Sequence, residues 1–317
     1  MRYENAFALK IVSGTSHLKL AEEIAGNLNT DLVPFEISRF ACNEIYAKPL
    51  EKVRGDDIFV VQTCTADVNE NLMELFIMLE SLKRSFAGKI HVVMPHFGYA
   101  RQDRVASPRE PISAKLMADL MATSGADHLI TLKLHSDQAQ GFFDFPVDNL
   151  DSLKLFADYF CEKKIQDLVV VSPDAGGAKE AMKMADCLGV PLAIIHKARP
   201  RKNESHVTHV VGEVEGKTCL IFDDMVDTAG SVCNARQALL DYGANQEMYL
   251  AATHPVFSGP AVERLSNAGF TEVVVTNSIP LSVEKQFDGL KILSVAPLLA
   301  KIIRNVHEDR SVSEAFN

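Results

Sequence analysis

Three things are missing from this 317-residue sequence, and each removes a class of function. There is no basic surplus: 32 Lys and Arg face 42 Asp and Glu, a formal net charge of -10, and the cations are spread along the chain. That excludes the electrostatic footprint duplex nucleic acid requires. The six cysteines form no CxxC pair and no regular spacing. This excludes a zinc cage or a disulfide framework and reads as reduced, mostly buried thiols. No stretch of about 18 uncharged apolar residues occurs, and the start MRYENAFALKIVSG lacks the apolar run of a signal peptide, so no membrane association and a cytoplasmic location are expected. Any anionic ligand would have to be met by local devices.

What the chain does have is apolar material, 47% of its residues, enough for two cores of ordinary domain size. Short β-branched runs alternate with amphipathic stretches, the pattern of helices covering both faces of a mostly parallel sheet, so the fold class is α/β. Asp57–Gln62, His91–Met94, Asp167–Ser172, Thr218–Phe222 and Glu272–Thr276 are the clearest buried strands. Helix ends are also readable. Asp67 with Glu70 forms a capping box for a helix to Lys83, and Pro111 opens a helix that Gly125 closes. Other helices end at Gly189, Gly243 and Gly269, and Ala296 to His307 forms the last. Residues 59–98 and 218–259 share one order of strand, polar loop, helix and strand, which implies two copies of one α/β domain. The expected domains are 1–148 and 149–317, with the last helix and tail returning to pack on the first.

The most informative segment is Leu220-Ile-Phe-Asp223-Asp224-Met-Val-Asp227-Thr228-Ala229-Gly230-Ser231, an apolar strand leading into carboxylates, a small-residue turn and a helix. Small residues at a helix N-terminus let backbone N–H groups reach phosphate oxygens, and the Thr228 and Ser231 hydroxyls add donors. Asp223 and Asp224 repel phosphate, so they suit sugar hydroxyls or a water-mediated magnesium ion. Upstream, Arg101-Gln102-Asp103-Arg104 follows a strand and offers planar, permanently charged guanidinium groups suited to a nucleoside triphosphate. His196-Lys197-Ala-Arg199-Pro-Arg201-Lys202 concentrates cations on an expected loop before Val210.

Asp223 to Ser231 resembles the ribose-5-phosphate and phosphoribosyl diphosphate motif of type I phosphoribosyltransferases and phosphoribosyl diphosphate synthetases. Several further segments resemble the synthetases over essentially the whole chain: Arg109-Glu-Pro-Ile112, Leu134-His135-Ser136, Ser172-Pro-Asp174-Ala-Gly-Gly-Ala178, and Ser311-Val-Ser313 followed by Phe316. The resemblance implies two tandem phosphoribosyltransferase-like domains that move a diphosphoryl group from ATP to ribose 5-phosphate. It implies Lys197 and Arg199 as catalytic cations. ATP would be held by Phe40, Glu44, Arg101, Gln102, Asp103 and His135, with Mg²⁺ on His135 and Asp174. Ribose 5-phosphate would bind at Asp223, Asp224, Asp227, Thr228, Ala229, Gly230 and Ser231. A homo-hexamer or other homo-oligomer with shared sites is expected, with inorganic phosphate as an activator acting at an anion site of Arg54, Arg104, Ser311 and Ser313. Alternatives are a non-catalytic regulatory subunit and a transferase that consumes phosphoribosyl diphosphate.

The chain also departs from the family's pattern. Its adenine segment reads Phe40-Ala-Cys42-Asn-Glu44, where Cys42 is a poor hydrogen-bond partner, and Lys133 stands where many members of the family it resembles carry aspartate. Lys133 is expected to turn from the metal or to pair with a carboxylate. Lys52 and Val105-Ala-Ser-Pro108 alter the regulatory segments, so changed phosphate dependence and ADP inhibition are expected.

Overall fold

The computed structural model describes residues 7–201 and 204–313, with the side chains of 197–208 outside that description. In chain order the elements are β1 (Leu9–Ser13), α1 (Leu18–Leu28), β2 (Phe35–Arg39), β3 (Ile45–Pro49), β4 (Asp57–Val61), α2 (Val68–Arg84), β5 (Lys89–Met94), α3 (Ser113–Ser124), β6 (His128–Leu132) and β7 (Val147–Leu150). Then follow α4 (Leu153–Lys163), β8 (Leu168–Ser172), α5 (Ala178–Leu188), β9 (Leu192–Arg201), β10 (Glu204–Val211), β11 (Thr218–Val226) and α6 (Gly230–Asp241). Last come β12 (Met248–Pro255), α7 (Ala261–Ala268), β13 (Glu272–Thr276), β14 (Leu290–Leu293) and α8 (Ala296–His307).

The chain divides into two compact units. The first takes residues up to Leu150, with Ser278–Pro280 and the chain from Ser294 on; the second takes Asp151–Asn277 and Leu281–Leu293. In the first, five parallel strands run in the order β1-β4-β5-β6-β7, and β2 and β3 form a separate antiparallel pair. In the second the order is β10-β9-β8-β11-β12-β13-β14, parallel except for the β9–β10 pair. Strand for strand, β1-β4-β5-β6-β7 corresponds to β8-β11-β12-β13-β14, so the internal similarity of the sequence is a similarity of topology.

Period-two side-chain alternation explains why these strands are apolar throughout. In the second unit Val169, Val171, Ile221 and Leu250 face Val232, Leu239 and Leu265 of α6 and α7. Val170, Leu220, Phe222 and Val274 face Phe156, Phe160, Ala181 and Met184 of α4 and α5 on the other side. In the first unit Val60, Val92 and Leu129 pack against Leu75, Leu79 and Met121 of α2 and α3. Helix α8 packs on α1 there, and is tied down by Ser294 Oγ donating to Glu23 at 2.6 Å and by His307 Nδ1 at 2.9 Å from Asp57.

The structure corrects several local expectations. Asp67 stands at the N-cap of α2, but its side chain makes no capping bond, and the Glu70 side chain takes Arg39 at 2.6 Å rather than turning back to the cap. Helix α3 begins at Ser113 rather than Pro111. β11 continues through Asp223 and Asp224 to Val226, supported by β12 pairing as far as Val226↔Pro255. The basic segment expected as a loop is strand through Arg201, with Lys197 paired to Val207 on β10. Nor are the thiols mostly buried: Cys64 and Cys219 are, and burial pushes each up to about 12, whereas Cys42, Cys161 and Cys187 are exposed. Among the described residues, no helix is long and apolar enough to cross a membrane.

Candidate active site

Every residue singled out at a strand end lies at the C-terminal edge of its sheet, where parallel α/β folds place ligands. In the second unit, Asp227, Thr228 and Ala229 join β11 to α6. Ala229 is the helix N-cap and is left-handed, at φ 59 and ψ 0. The carbonyls leading into the turn are taken: Val226 O accepts from Phe257 N at 3.0 Å, Asp227 O from Ser258 N at 2.9 Å, and Thr228 O from Arg264 Nη1 at 2.9 Å. The N–H groups of Thr228, Ala229 and Gly230 donate to no acceptor among the described residues. A turn with committed carbonyls and uncommitted amides at a helix N-terminus has the geometry that suits an anion.

Beside it lie carboxylates. Asp223 accepts the Asp224 N–H at 2.9 Å. Burial, then the neighbouring Asp224 and Asp174 charges, pushes the Asp223 carboxyl well above the usual carboxylate range. Asp174 follows β8, and its Oδ1 accepts from Gly176 N at 2.9 Å and Gly177 N at 3.2 Å. The other oxygen, Oδ2, accepts no hydrogen bond among the described residues, leaving a hard donor of the kind magnesium prefers. No group of three His, Cys, Asp or Glu among the described residues is arranged as a metal cage. The residues therefore fit a cation that keeps most of its ligands as water and phosphate. Lys197 and Arg199 lie on β9, beside β8 in the sheet, and their side chains are outside the described residues.

In the first unit, Arg101, Gln102 and Asp103 follow β5, and His135 follows the adjacent β6. Arg101 and His135 are exposed and Asp103 is half-buried. Gln102 is already engaged in structure: its Oε1 accepts from Ser113 Oγ at 2.7 Å and its carbonyl from Ala114 N at 3.2 Å, which anchors the start of α3. Lys133 pairs with Asp137 at 3.9 Å, the second of its two expected outcomes. Phe40 and Glu44 flank the β2–β3 turn, closed by Phe40 N to Glu44 O at 2.9 Å; Phe40 is 55% exposed, leaving its ring available for stacking. Of the anion-site residues, Arg54 lies over the Phe86 ring at 4.3 Å, Ser311 and Ser313 hydroxyls meet at 2.6 Å, and Arg104 is exposed. Phe316 lies outside the described residues.

Sequence reasoning missed Arg264. It lies 36 positions after Thr228 on another helix, and no spacing rule joins the two. Buried polar residues around Gly14 were missed likewise, because Gln62 and Glu74 are ordinary polar residues until the strands come together.

Two parallel-sheet units carrying polar loops at their strand ends, one of them an amide cradle beside carboxylates, define an α/β enzyme that handles phosphate esters. Comparison with known proteins narrows this. A profile describing the N-terminal domain of ribose phosphate pyrophosphokinase matches residues 9–125, and one for the phosphoribosyl synthetase-associated domain matches residues 198–317. The ribose-phosphate pyrophosphokinase of Bacillus caldolyticus is 50% identical over 309 residues, covering 98% of each chain. That of Corynebacterium ammoniagenes is 49% identical, covering 98% of this chain and 97% of the relative. The crystal structure of phosphoribosylpyrophosphate synthetase from Mycobacterium smegmatis superposes with a TM-score of 0.90 at 45% identity, over 95% of this chain and 99% of the other. The chain belongs to the ribose-phosphate pyrophosphokinase family.

Proposed function

We propose that this chain is an active ribose-phosphate diphosphokinase that transfers the β,γ-diphosphoryl group of ATP to the anomeric hydroxyl of D-ribose 5-phosphate, giving 5-phosphoribosyl 1-diphosphate and AMP. The observation that carries this reading is the set of uncommitted N–H groups at Thr228, Ala229 and Gly230, directly after the Asp223–Asp224 pair. The amides and the Ser231 hydroxyl hold the 5-phosphate, and Asp223, Asp224 and Asp227 orient the sugar hydroxyls. Phe40 and Glu44 receive adenine, and Arg101, Gln102 and Asp103 hold the nucleotide. The anomeric oxygen attacks the β-phosphorus and releases its proton to solvent, the bond from that phosphorus to the α-phosphate oxygen breaks, and AMP leaves with that oxygen. Lys197 and Arg199 neutralise charge on the equatorial oxygens while attacking and leaving oxygens stay in line, so no covalent enzyme intermediate is needed. Asp174 in the second unit and His135 in the first would each offer a ligand to Mg²⁺, which would supply Lewis-acid neutralisation of the phosphate chain.

Adenine contacts on an exposed hairpin tip fit a homo-oligomer, a hexamer or a related assembly, in which neighbouring copies complete each site; the proposed location is the cytoplasm. Inorganic phosphate is the candidate activator, acting at Arg54, Arg104, Ser311 and Ser313, with its effect weakened by the altered segments at Lys52 and Val105–Pro108. An assay of AMP formation from ATP and ribose 5-phosphate with Mg²⁺, run with and without phosphate, tests the reading. AMP and phosphoribosyl diphosphate in equal amounts support it; neither product under both conditions overturns it.

A further inference from the structure

The three carbonyls that lead into the cradle are held by the segment after β12, but not by equivalent donors. Phe257 and Ser258 contribute backbone N–H groups, which almost any residue there would supply. The third donor is a side chain, Arg264 Nη1, at 2.9 Å from Thr228 O. In a trans peptide the carbonyl and the following N–H point in opposite directions. Holding Thr228 C=O toward α7 therefore turns the Ala229 N–H to the opposite side, where a phosphate would sit. Ala229 pays for this with φ 59, a conformation that costs an L-residue about 1–2 kcal/mol. Without its clamp this peptide has reason to rotate away.

Two contacts show that the clamp is built rather than incidental. A Cβ at Gly230 would lie 3.2 Å from Arg264 Nη1, so the loop's glycine leaves room for the guanidinium. Cys233 of α6 also donates from its thiol to Arg264 O at 3.8 Å, which docks α7 on the helix the loop opens. Arg264 reaches across an open cleft between α6 and α7 lined also by Cys233, Arg236 and Glu263.

We propose that Arg264 is a positioning residue for the ribose 5-phosphate subsite, fixing the Thr228 carbonyl so that the Ala229 amide faces the substrate phosphate. The inference rests on the assignment of residues 227–231 to ribose 5-phosphate. The experiment measures Kd for ribose 5-phosphate and for ATP by calorimetry, with AMP formation and thermal midpoint, on the full-length wild type, Arg264→Met and Arg264→Lys. Loss of one charge-assisted hydrogen bond predicts a roughly tenfold or greater rise in the ribose 5-phosphate Kd for Arg264→Met, with the ATP Kd held within about twofold. Arg264→Lys keeps the charge without the planar reach and falls between; it also decides the matter, by a threefold or greater rise on the order expected for a partly kept bond, should the methionine variant fail to fold. An unchanged ribose 5-phosphate Kd, or equal losses for both ligands, overturns the proposal. A wild type that binds ribose 5-phosphate yet forms no AMP refutes the diphosphokinase reading and leaves this inference judged on the Kd ratio. A wild type that binds no ribose 5-phosphate overturns both.

Discussion

His91 and His128, on adjacent strands of the first unit, share one hydrogen bond between their Nδ1 atoms, 3.1 Å apart. His128 Nε2 lies 3.1 Å from Asp148, so it carries a proton toward the carboxylate. In the tautomer in which His128 accepts at Nδ1, His91 donates and its Nε2 is bare, consistent with the burial of that atom without a partner among the described residues. A second proton on His91 would need an acceptor there that is missing. Burial first, then His128, Lys89 and His307, pushes the His91 imidazole down to about 3. The unfolded chain takes up that proton near pH 6.5 while the native protein refuses it, so stability is intact above that pH and is lost as pH falls toward 3, at up to about 1.4 kcal/mol per pH unit. His91→Phe keeps the stack on Phe59, whose centroid is 4.4 Å away, and removes the titration. Urea midpoints between pH 6.5 and 4.5 should depend less on pH in the variant; equal slopes reject the account.

Gly14 sits where β1 ends and has no room for a methyl group. A Cβ there would overlap Gln62 Oε1, reach Gln62 Cδ at 2.6 Å and lie 3.0 Å from Glu74 Oε1. Gln62 Oε1 accepts from Ser16 Oγ at 2.6 Å, and its Nε2 donates to Asn71 O at 3.1 Å and Glu74 at 2.8 Å. Gly14→Ala must displace this buried amide and should cost about 1–3 kcal/mol in urea unfolding. In a Gln62→Ala background the same substitution should cost much less, because the obstacle is gone; additive losses would argue against the steric cause.

Asp223 illustrates a site held against stability. Its folded-state carboxyl is raised, so ionising it at neutral pH costs the native state relative to the unfolded one. Asp223→Asn removes that cost and should raise the thermal midpoint of the ligand-free protein at pH 7.5 while lowering turnover, the usual exchange at a functional carboxylate. A midpoint that falls would show that the charge is instead compensated in the native state.

Lys197→Ala should lower kcat by about a hundredfold to a thousandfold, the range for one preorganised charge donor, and leave ribose 5-phosphate affinity nearly unchanged. Isothermal calorimetry beside steady-state assays separates the two quantities. A parallel loss of binding and turnover would make Lys197 a ground-state contact.

Phosphate titration of activity bears on the altered regulatory segments. With Lys52 and Val105-Ala-Ser-Pro108 in place, activity should depend weakly on added phosphate and resist ADP. A steep phosphate requirement would show that Arg54, Arg104, Ser311 and Ser313 suffice. Arg54 lies over the Phe86 ring at 4.3 Å, a stack that leaves the edge of its guanidinium able to donate to an anion.

The alternation of apolar runs and capped amphipathic stretches determined the α/β class by itself, because strand period and helix period are local properties that survive into the fold. Glycine ends such as Gly125, Gly189 and Gly269 were legible for the same reason: each takes a left-handed backbone that few other residues accept. The Asp223–Ser231 cradle was legible because strand, turn and helix start are contiguous. Tertiary structure alone decided that the basic run through Arg201 is strand, since its partner β10 supplies the hydrogen bonds no local signal records. It alone brought Arg264 to Thr228, His91 to His128, and Gln62 to the space Gly14 leaves empty. Those contacts join residues dozens of positions apart, and a one-dimensional pattern carries no information about which distant polar atom will satisfy a buried carbonyl or amide.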